Sequence, residues 1–136
     1  MDIVWITSEA VPYAKTGGLA DVASALPKAQ AANGHKVSVI MPYYPQVMKE
    51  LTAKTETCHD LLAVPFGWTT EWAQIRQHKI NENLSFYFIE YNLFFDRPSL
   101  YDYQETAFGD NASRFIFFSR AAMQAVLALD LKPNII

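Results

Sequence analysis

Two short apolar runs rich in β-branched residues, 2–7 (DIVWIT) and 36–41 (KVSVIM), flank a glycine pair within the first 41 of this chain's 136 residues. No other feature restricts the fold as tightly. A β-branched run without polar alternation is the pattern of a strand buried on both faces, as in a parallel sheet. Parallel neighbours need a crossover rather than a hairpin, and residues 19–32 supply one. Gly17 and Gly18 open this helix-like stretch, and Asn33-Gly34 closes it with a C-terminal stop. Leu19, Val22, Ala23, Leu26 and Ala29 recur at the helical period. Pro27, inside it, predicts a kink or break, because proline lacks the N–H and its ring crowds the preceding turn. Strand, glycine loop, helix and strand make a βαβ unit, with a right-handed crossover expected.

The middle of the chain follows another rule. Residues 61–66, 71–78 and 84–91 are strand-like, with turns at Gly67 and at 81–83. Such short connections imply an antiparallel meander. Residues 92–108 are irregular and aromatic. Residues 110–129 read as a long helix, with Asp110 or Asn111 as its cap and Phe115, Phe118, Ala122, Val126 and Leu129 at helical spacing. Residues 132–136 lead into another strand. The expected class is α/β, a Rossmann-like parallel sheet with an antiparallel meander. A doubly wound sheet binds its ligand where the next strand is inserted beside the first, and here that strand has barely begun. The chain therefore reads as one domain, 1–136, truncated at its C-terminal end. Its first strand has an unpaired side, and an open apolar edge invites another chain, so self-association is expected.

Apolar residues make up 51% and charged residues 18%, which argues for a packed globule and against disorder. A net charge of −3 gives no general attraction to nucleic acid or to an anionic membrane. One cysteine, Cys58, excludes an internal disulfide and a cysteine-only zinc site. His35, His59 and His78 show no ligand spacing with one another or with Cys58, so no metal or cofactor is expected. There is no G-x-S-x-G elbow and no catalytic signature around Cys58. No apolar run reaches the roughly 18 residues of a spanning helix. Asp2 stands where a signal peptide would carry its basic region, and a cytosolic location is expected.

Residues 13–19 (YAKTGGL) carry the most chemistry. Two glycines admit a ligand close to the backbone, a helix start offers free N–H groups and a positive dipole end, and Lys15 adds a mobile charge. The loop is either a phosphate or diphosphate site or a turn with a solvated lysine. Asp21 either accepts hydrogen bonds from sugar hydroxyls or complements the helix dipole, the latter being worth about 0.3–1 kcal/mol. Glu9, just past the first strand's carboxyl end, lies where ligands of such sheets gather, or is a plain loop carboxylate. Residues 92–103 (NLFFDRPSLYDY) either form a platform for sugar rings or pack over the sheet edge.

On these residues a family resemblance rests. The block Ser-Glu-x-x-Pro-x-x-Lys-Thr-Gly-Gly-Leu-Ala-Asp-Val, from Ser8 to Val22, strongly resembles the opening of bacterial glycogen synthases and plant starch synthases. Ala25-Leu-Pro-Lys28, the run from Gly34 to Pro42, the turn at 43–45, Phe95-Asp-Arg-Pro98 with Leu100-Tyr101, and the helix at 111–121 with its Arg-Phe-x-Phe-Phe-Ser-Arg core also match. Residues 50–85 are the least distinctive.

The resemblance implies a retaining glucosyltransferase of GT-B architecture, two Rossmann-like domains facing across a cleft. Such an enzyme passes glucose from ADP-glucose to the non-reducing end of an α-1,4-glucan, glycogen or starch. The N-terminal domain mainly carries the acceptor; the preference for ADP over UDP rests on the resemblance alone. Lys15 matches the lysine on the donor's phosphate, Gly17 and Gly18 the loop beside it, and Asp21 a carboxylate near the glucosyl unit. Phe95 falls where some members have a tyrosine near the sugar, and it lacks that hydroxyl. Ser99 replaces a common glycine. The chain stops before the family's His-x-His-Asp-Trp segment and lacks the nucleotide-binding domain. It therefore holds no complete catalytic set and is expected to be inert alone. The alternative is a non-catalytic module binding α-glucan or a sugar nucleotide. The family's setting implies the cytoplasm, or the plastid in a plant.

Overall fold

The computed structural model describes residues 1–136. Strand β1 (Asp2–Ile6) and strand β2 (Lys36–Pro42) run parallel, in a register from Asp2 opposite Lys36 to Ile6 opposite Ile40. Helix α1 (Gly18–Ala32) is the crossover between them. Three further strands follow: β3 (Glu56–Phe66), β4 (Thr69–Asn81) and β5 (Leu84–Glu90). The sheet order is β1-β2-β5-β4-β3. β5 lies parallel to β2, and β4 and β3 continue antiparallel from it. β5 is thus the seam between the two halves; its Leu84, Phe86, Phe88 and Ile89 are all buried. The expected α/β class with a meander is what the chain adopts. β3 and β4 outrun the expected 61–66 and 71–78, because their polar ends, such as Glu56-Thr57 and Lys79, carry no apolar alternation to announce a strand.

Helix α1 departs from the sequence reading in two ways. It runs through Pro27 without interruption, and Pro27 itself is buried. The break expected at Pro27 is absent, because burial of the proline ring supplies packing that offsets the lost hydrogen bond. The helix is also turned the other way. Ala20, Ala23, Ser24, Pro27 and Ala31 are buried, whereas Leu19, Val22 and Leu26 are 43–53% exposed. Small side chains let the helix sit close to β2, and the larger apolar ones face outward. The stop at Asn33-Gly34 is as expected. Gly34 adopts φ +83, its N–H reaches Ala31 O at 3.0 Å, and His35 N reaches Gln30 O at 3.2 Å. This is the paired closure of a Schellman motif, which a glycine forms without steric cost.

Helix α3 (Asn111–Ala128) buries Phe117, Phe118, Ala121, Ala122, Ala125 and Val126 and lies mainly along β3. Neither expected cap performs that role. The Asp110 carboxylate is held by Arg97 at 2.7 and 3.2 Å, and the Asn111 amide turns to Tyr101 O and Arg114. Between β5 and α3, residues 92–108 are more regular than expected. They hold a one-turn helix α2 (Asn92–Phe95) and a hairpin of β6 (Asp102–Tyr103) and β7 (Thr106–Ala107). At the hairpin tip Gln104 and Glu105 take φ +52 and +64, the double positive φ that matches the twist of a tight hairpin. The lead-in at 132–136 lies alongside β1: Ile135 forms a parallel bridge with Ile3 and accepts Val4 N at 3.0 Å. No helix is long and apolar enough to cross a membrane.

Candidate functional site

The connection from β1 to α1 is built around one carboxylate. Glu9 is 4% exposed and accepts four donors. Thr16 N reaches its Oε2 at 2.6 Å and Gly17 N the same oxygen at 3.3 Å. The Thr16 hydroxyl spans both oxygens at 3.0 and 3.1 Å, and the Tyr101 hydroxyl donates to Oε1 at 3.0 Å. Burial pushes the Glu9 carboxyl up, but these bonds together outweigh it and hold the group below its ordinary range. Glu9 is a fixed anion with its acceptor sites occupied. It serves the loop as a clamp rather than as an acid or base.

What the clamp presents is open to solvent. Lys15, Thr16, Gly17 and Gly18 are all exposed. Gly17 stands at the N-cap of α1, which has no side-chain cap, so its first amides from Gly18 onward lack intrahelical acceptors. A Cβ built on Gly17 or Gly18 would meet nothing within 4 Å. Neither glycine is demanded by internal packing, and the space above both is free for a ligand to approach the backbone. Lys15 Nζ lies 2.8 Å from each carboxylate oxygen of Asp21, with both side chains about half exposed. The fold thus brings together Glu9, Lys15, Gly17, Gly18 and Asp21. Asp21 lies in the first turn of α1, where its charge complements the helix dipole, and there it also pairs with Lys15.

Phe95 is placed differently from what the resemblance implies. Its ring is fully buried, edge-on to Tyr44 at 5.8 Å and Phe118 at 6.4 Å, with the Arg114 guanidinium 5.5 Å from its centroid. Enclosed on these sides, the ring supports the loop above it. Within the aromatic stretch Phe95 and Leu100 are buried, whereas Leu93 and Tyr103 are exposed.

Sequence reasoning missed Arg114 and Tyr101. Arg114 is fully buried without a carboxylate partner. It donates to Phe94 O at 2.7 Å, Leu100 O at 2.8 Å and Asn111 Oδ1 at 2.7 Å, and sits over the rings of Phe95, Phe108 and Phe115 at 5.0–5.5 Å. Its signals were its place at the head of the Arg-Phe-x-Phe-Phe-Ser-Arg core and its position one turn before Phe118 on the buried stripe of α3. Tyr101, beyond the gripped Leu100 carbonyl, donates to Glu9 and accepts from the Ser8 hydroxyl at 2.6 Å. Burial, with Glu9 alongside, pushes its phenol up to about 12. Tyr44 completes the frame by donating to Ser8 O at 2.9 Å. These partners lie up to 93 residues apart in sequence, so no local pattern signals them.

The remaining candidates form no site. Cys58 lies on the exposed face of β3, but its sulfur is partly buried against Ile75 O; that desolvation pushes the thiol up, so thiolate is disfavoured. His78 accepts or donates to the buried Tyr13 hydroxyl at 2.7 Å, a structural contact. No group of three or more His, Cys, Asp or Glu is placed to hold a metal ion.

The chain is similar to known proteins over its whole length. The glycogen synthase of Caldicellulosiruptor saccharolyticus is 41% identical over 137 aligned residues, which cover 100% of this chain and 27% of that protein. That of Bacillus subtilis is 37% identical over 139, again covering 100% and 27%. Among solved structures, the catalytic domain of starch synthase IV from Arabidopsis thaliana, bound to ADP and acarbose, superposes with a TM-score of 0.82 at 31% identity. The match covers 98% of this chain and 27% of that one. The chain thus spans about a quarter of the length of the relatives it matches. A family model, the starch synthase catalytic domain, matches residues 2–136, and the chain belongs to that family.

Proposed function

We propose that this chain is the N-terminal, acceptor-side part of a retaining, ADP-glucose-dependent glucosyltransferase of GT-B architecture that lengthens an α-1,4-glucan. The observation that carries the reading is the open loop itself: Lys15 and two glycines stand over an uncapped helix start, with no packing reason for either glycine. Family membership supports a donor phosphate as what this loop meets. The structural neighbour's ADP and acarbose supply a diphosphate and an oligosaccharide analogue, the chemistry of donor and acceptor.

In that reaction the bond from glucose C1 to the donor diphosphate breaks and a bond from C1 to an acceptor hydroxyl oxygen forms. ADP departs with the bonding electrons, and its freed phosphate oxygen takes the acceptor proton. Lys15 and the first α1 amides stabilise the charge that gathers on the departing phosphate. Asp21, paired with Lys15 in the unliganded chain, gives it up to the phosphate and turns its carboxylate to the glucosyl hydroxyls. Phe95 is left out of this set because it is buried. Holding donor and acceptor in attack geometry requires both walls of a cleft, so the chain alone is inert. The compartment is the cytoplasm, or a plastid in a plant. The outer edge of β1, bridged only at Ile3, borders an apolar cleft of about 360 Å³ lined by Ile3, Val4, Trp5, Ile6, Ile135 and Ile136. An open apolar edge of this kind supports self-association there.

Calorimetric titration tests the assignment. A maltooligosaccharide is expected to bind more tightly than ADP-glucose, whose affinity should be millimolar or weaker because Lys15 offers only part of its site. Micromolar ADP-glucose binding with no oligosaccharide binding would overturn the acceptor-side reading.

A further inference from the structure

Arg114 and Tyr101 belong to a part of the fold that touches no exposed loop residue directly, yet they connect to the glycine loop without a break. Arg114 Nη1 grips Leu100 O at 2.8 Å, which fixes the peptide that leads into Tyr101. The Asn111 amide donates to Tyr101 O at 2.8 Å and closes the other side of that residue. The Tyr101 hydroxyl, with one proton to give, donates it to Glu9 Oε1 and takes the Ser8 proton in return. Glu9 Oε2 then holds Thr16 N and Gly17 N. We propose that Tyr101 is a positioning residue: through Glu9 it sets the Thr16–Gly17 backbone on which Lys15 and the open glycines stand. The purpose assigned to the loop, holding a donor phosphate, rests on the function proposed above.

The physical argument is about a carboxylate with two jobs. A side chain gripped only from the loop it holds would follow that loop as it moves. Glu9 is also gripped from outside, by a phenol whose backbone is tied to the buried end of α3. The Tyr101 phenol donates to an ionised acceptor at 3.0 Å, and a hydrogen bond to a charged group contributes more than a neutral one. The tie makes loop geometry a property of the core, which is what a phosphate cradle needs if its amides are to be in place before the ligand arrives.

The test compares the chain with Tyr101→Phe, which keeps the ring and removes the donor, and with Tyr103→Phe, an exposed neighbour on the same hairpin. In Tyr101→Phe, amide exchange at Thr16 and Gly17 should quicken about tenfold relative to β2 and β5 amides. ADP binding followed by chemical shift should weaken about fivefold. The Glu9 carboxyl should titrate at higher pH, because a bond that lowers it has gone. A double variant with Glu9→Gln should show no further loss over Glu9→Gln alone. Unchanged Thr16 and Gly17 exchange with an unmoved Glu9 titration, or full multiplicative losses in the double variant, would overturn the role. If ADP binds no form of the chain, the phosphate reading falls, while exchange and the Glu9 titration still decide on Tyr101. Tyr103→Phe should match the parent throughout; if it reproduced the Tyr101→Phe losses, the specific tie through Glu9 would be refuted.

Discussion

The glycine loop and the aromatic loop meet at Glu9 and are held by opposite means. Residues 8–17 are fixed by donors converging on a buried carboxylate, and they leave Lys15, Thr16 and Gly17 facing water. Residues 94–108 are fixed by rings and carbonyls around a buried cation, and they leave Phe95 and Leu100 no exposed surface worth the name. One loop is a presented surface and the other its support. Aromatic density by itself therefore says little about ligand contact. Rings crowd where an irregular backbone must be held with little regular hydrogen bonding, and a sugar platform looks the same in sequence.

The largest effect that tests this contrast is Phe95→Ala. A fully buried ring truncated to a methyl costs about 3–5 kcal/mol through lost burial and the cavity left behind. A surface ring awaiting a sugar costs within about 0.5 kcal/mol. Urea unfolding of the two chains separates these outcomes, and a small change would return Phe95 to the surface.

Arg114→Met comes next, at about 2–4 kcal/mol by the same measurement. Phe94 O, Leu100 O and Asn111 Oδ1 lose their donor, and each unsatisfied buried acceptor costs about 1–3 kcal/mol. Part of that is offset, because removing a buried charge ends its own desolvation cost, which here holds the guanidinium below its ordinary range. A loss below about 1 kcal/mol would mean that the rings alone hold the aromatic loop and the carbonyl contacts are incidental.

Glu9→Gln probes the other loop, at about 1–2 kcal/mol near neutral pH. Here the sign of the pH dependence is diagnostic. Glu9 is lowered in the folded chain, so its ionised form contributes stability that is fully present above its unfolded value of 4.5. That contribution is lost as pH falls below 4.5 through the folded value. The gap between parent and Glu9→Gln should close over that range, even though other carboxylates titrate there in both. A gap that stayed constant with pH would deny Glu9 its charge-based role as clamp.

Much of the frame around these loops was legible because it follows the two backbone periods. β1, β2 and β5 are short β-branched or aromatic runs, and Asn33-Gly34 ends α1 by a rule that depends only on local φ. Where legibility failed, the cause was tertiary. Leu19, Val22 and Leu26 mark an apolar stripe on α1, yet the alanine face meets the sheet, since close approach rewards small side chains that hydropathy ranks low. The β6–β7 hairpin was hidden because Gln104-Glu105 carries positive φ without the usual glycine or asparagine. At the site, Lys15, Gly17, Gly18 and Asp21 sit in one contiguous block and could be named together. Tyr101 joins Glu9 across 92 residues, a contact that only folding creates.

The smallest stability effect belongs to the residue with the clearest chemistry. Lys15→Ala should change unfolding free energy by less than about 0.5 kcal/mol, because an ion pair of half-exposed side chains is screened and entropically costly to hold. ADP binding followed by chemical shift should nevertheless fall about tenfold or more. Asp21→Asn sharpens the point, since the Asp21 carboxylate can act on Lys15 in two ways that differ in sign. If Asp21 holds Lys15 until a phosphate displaces it, removing its charge frees the lysine, and ADP, which has no glucosyl unit, should bind a fewfold more tightly. If Asp21 instead orients Lys15 toward the phosphate, ADP should bind more weakly in Asp21→Asn as it does in Lys15→Ala. Stability near that of the parent in both variants would place these two side chains on the presented surface. A loss of several kcal/mol in either would make the pair part of the frame and erase the division between the loops.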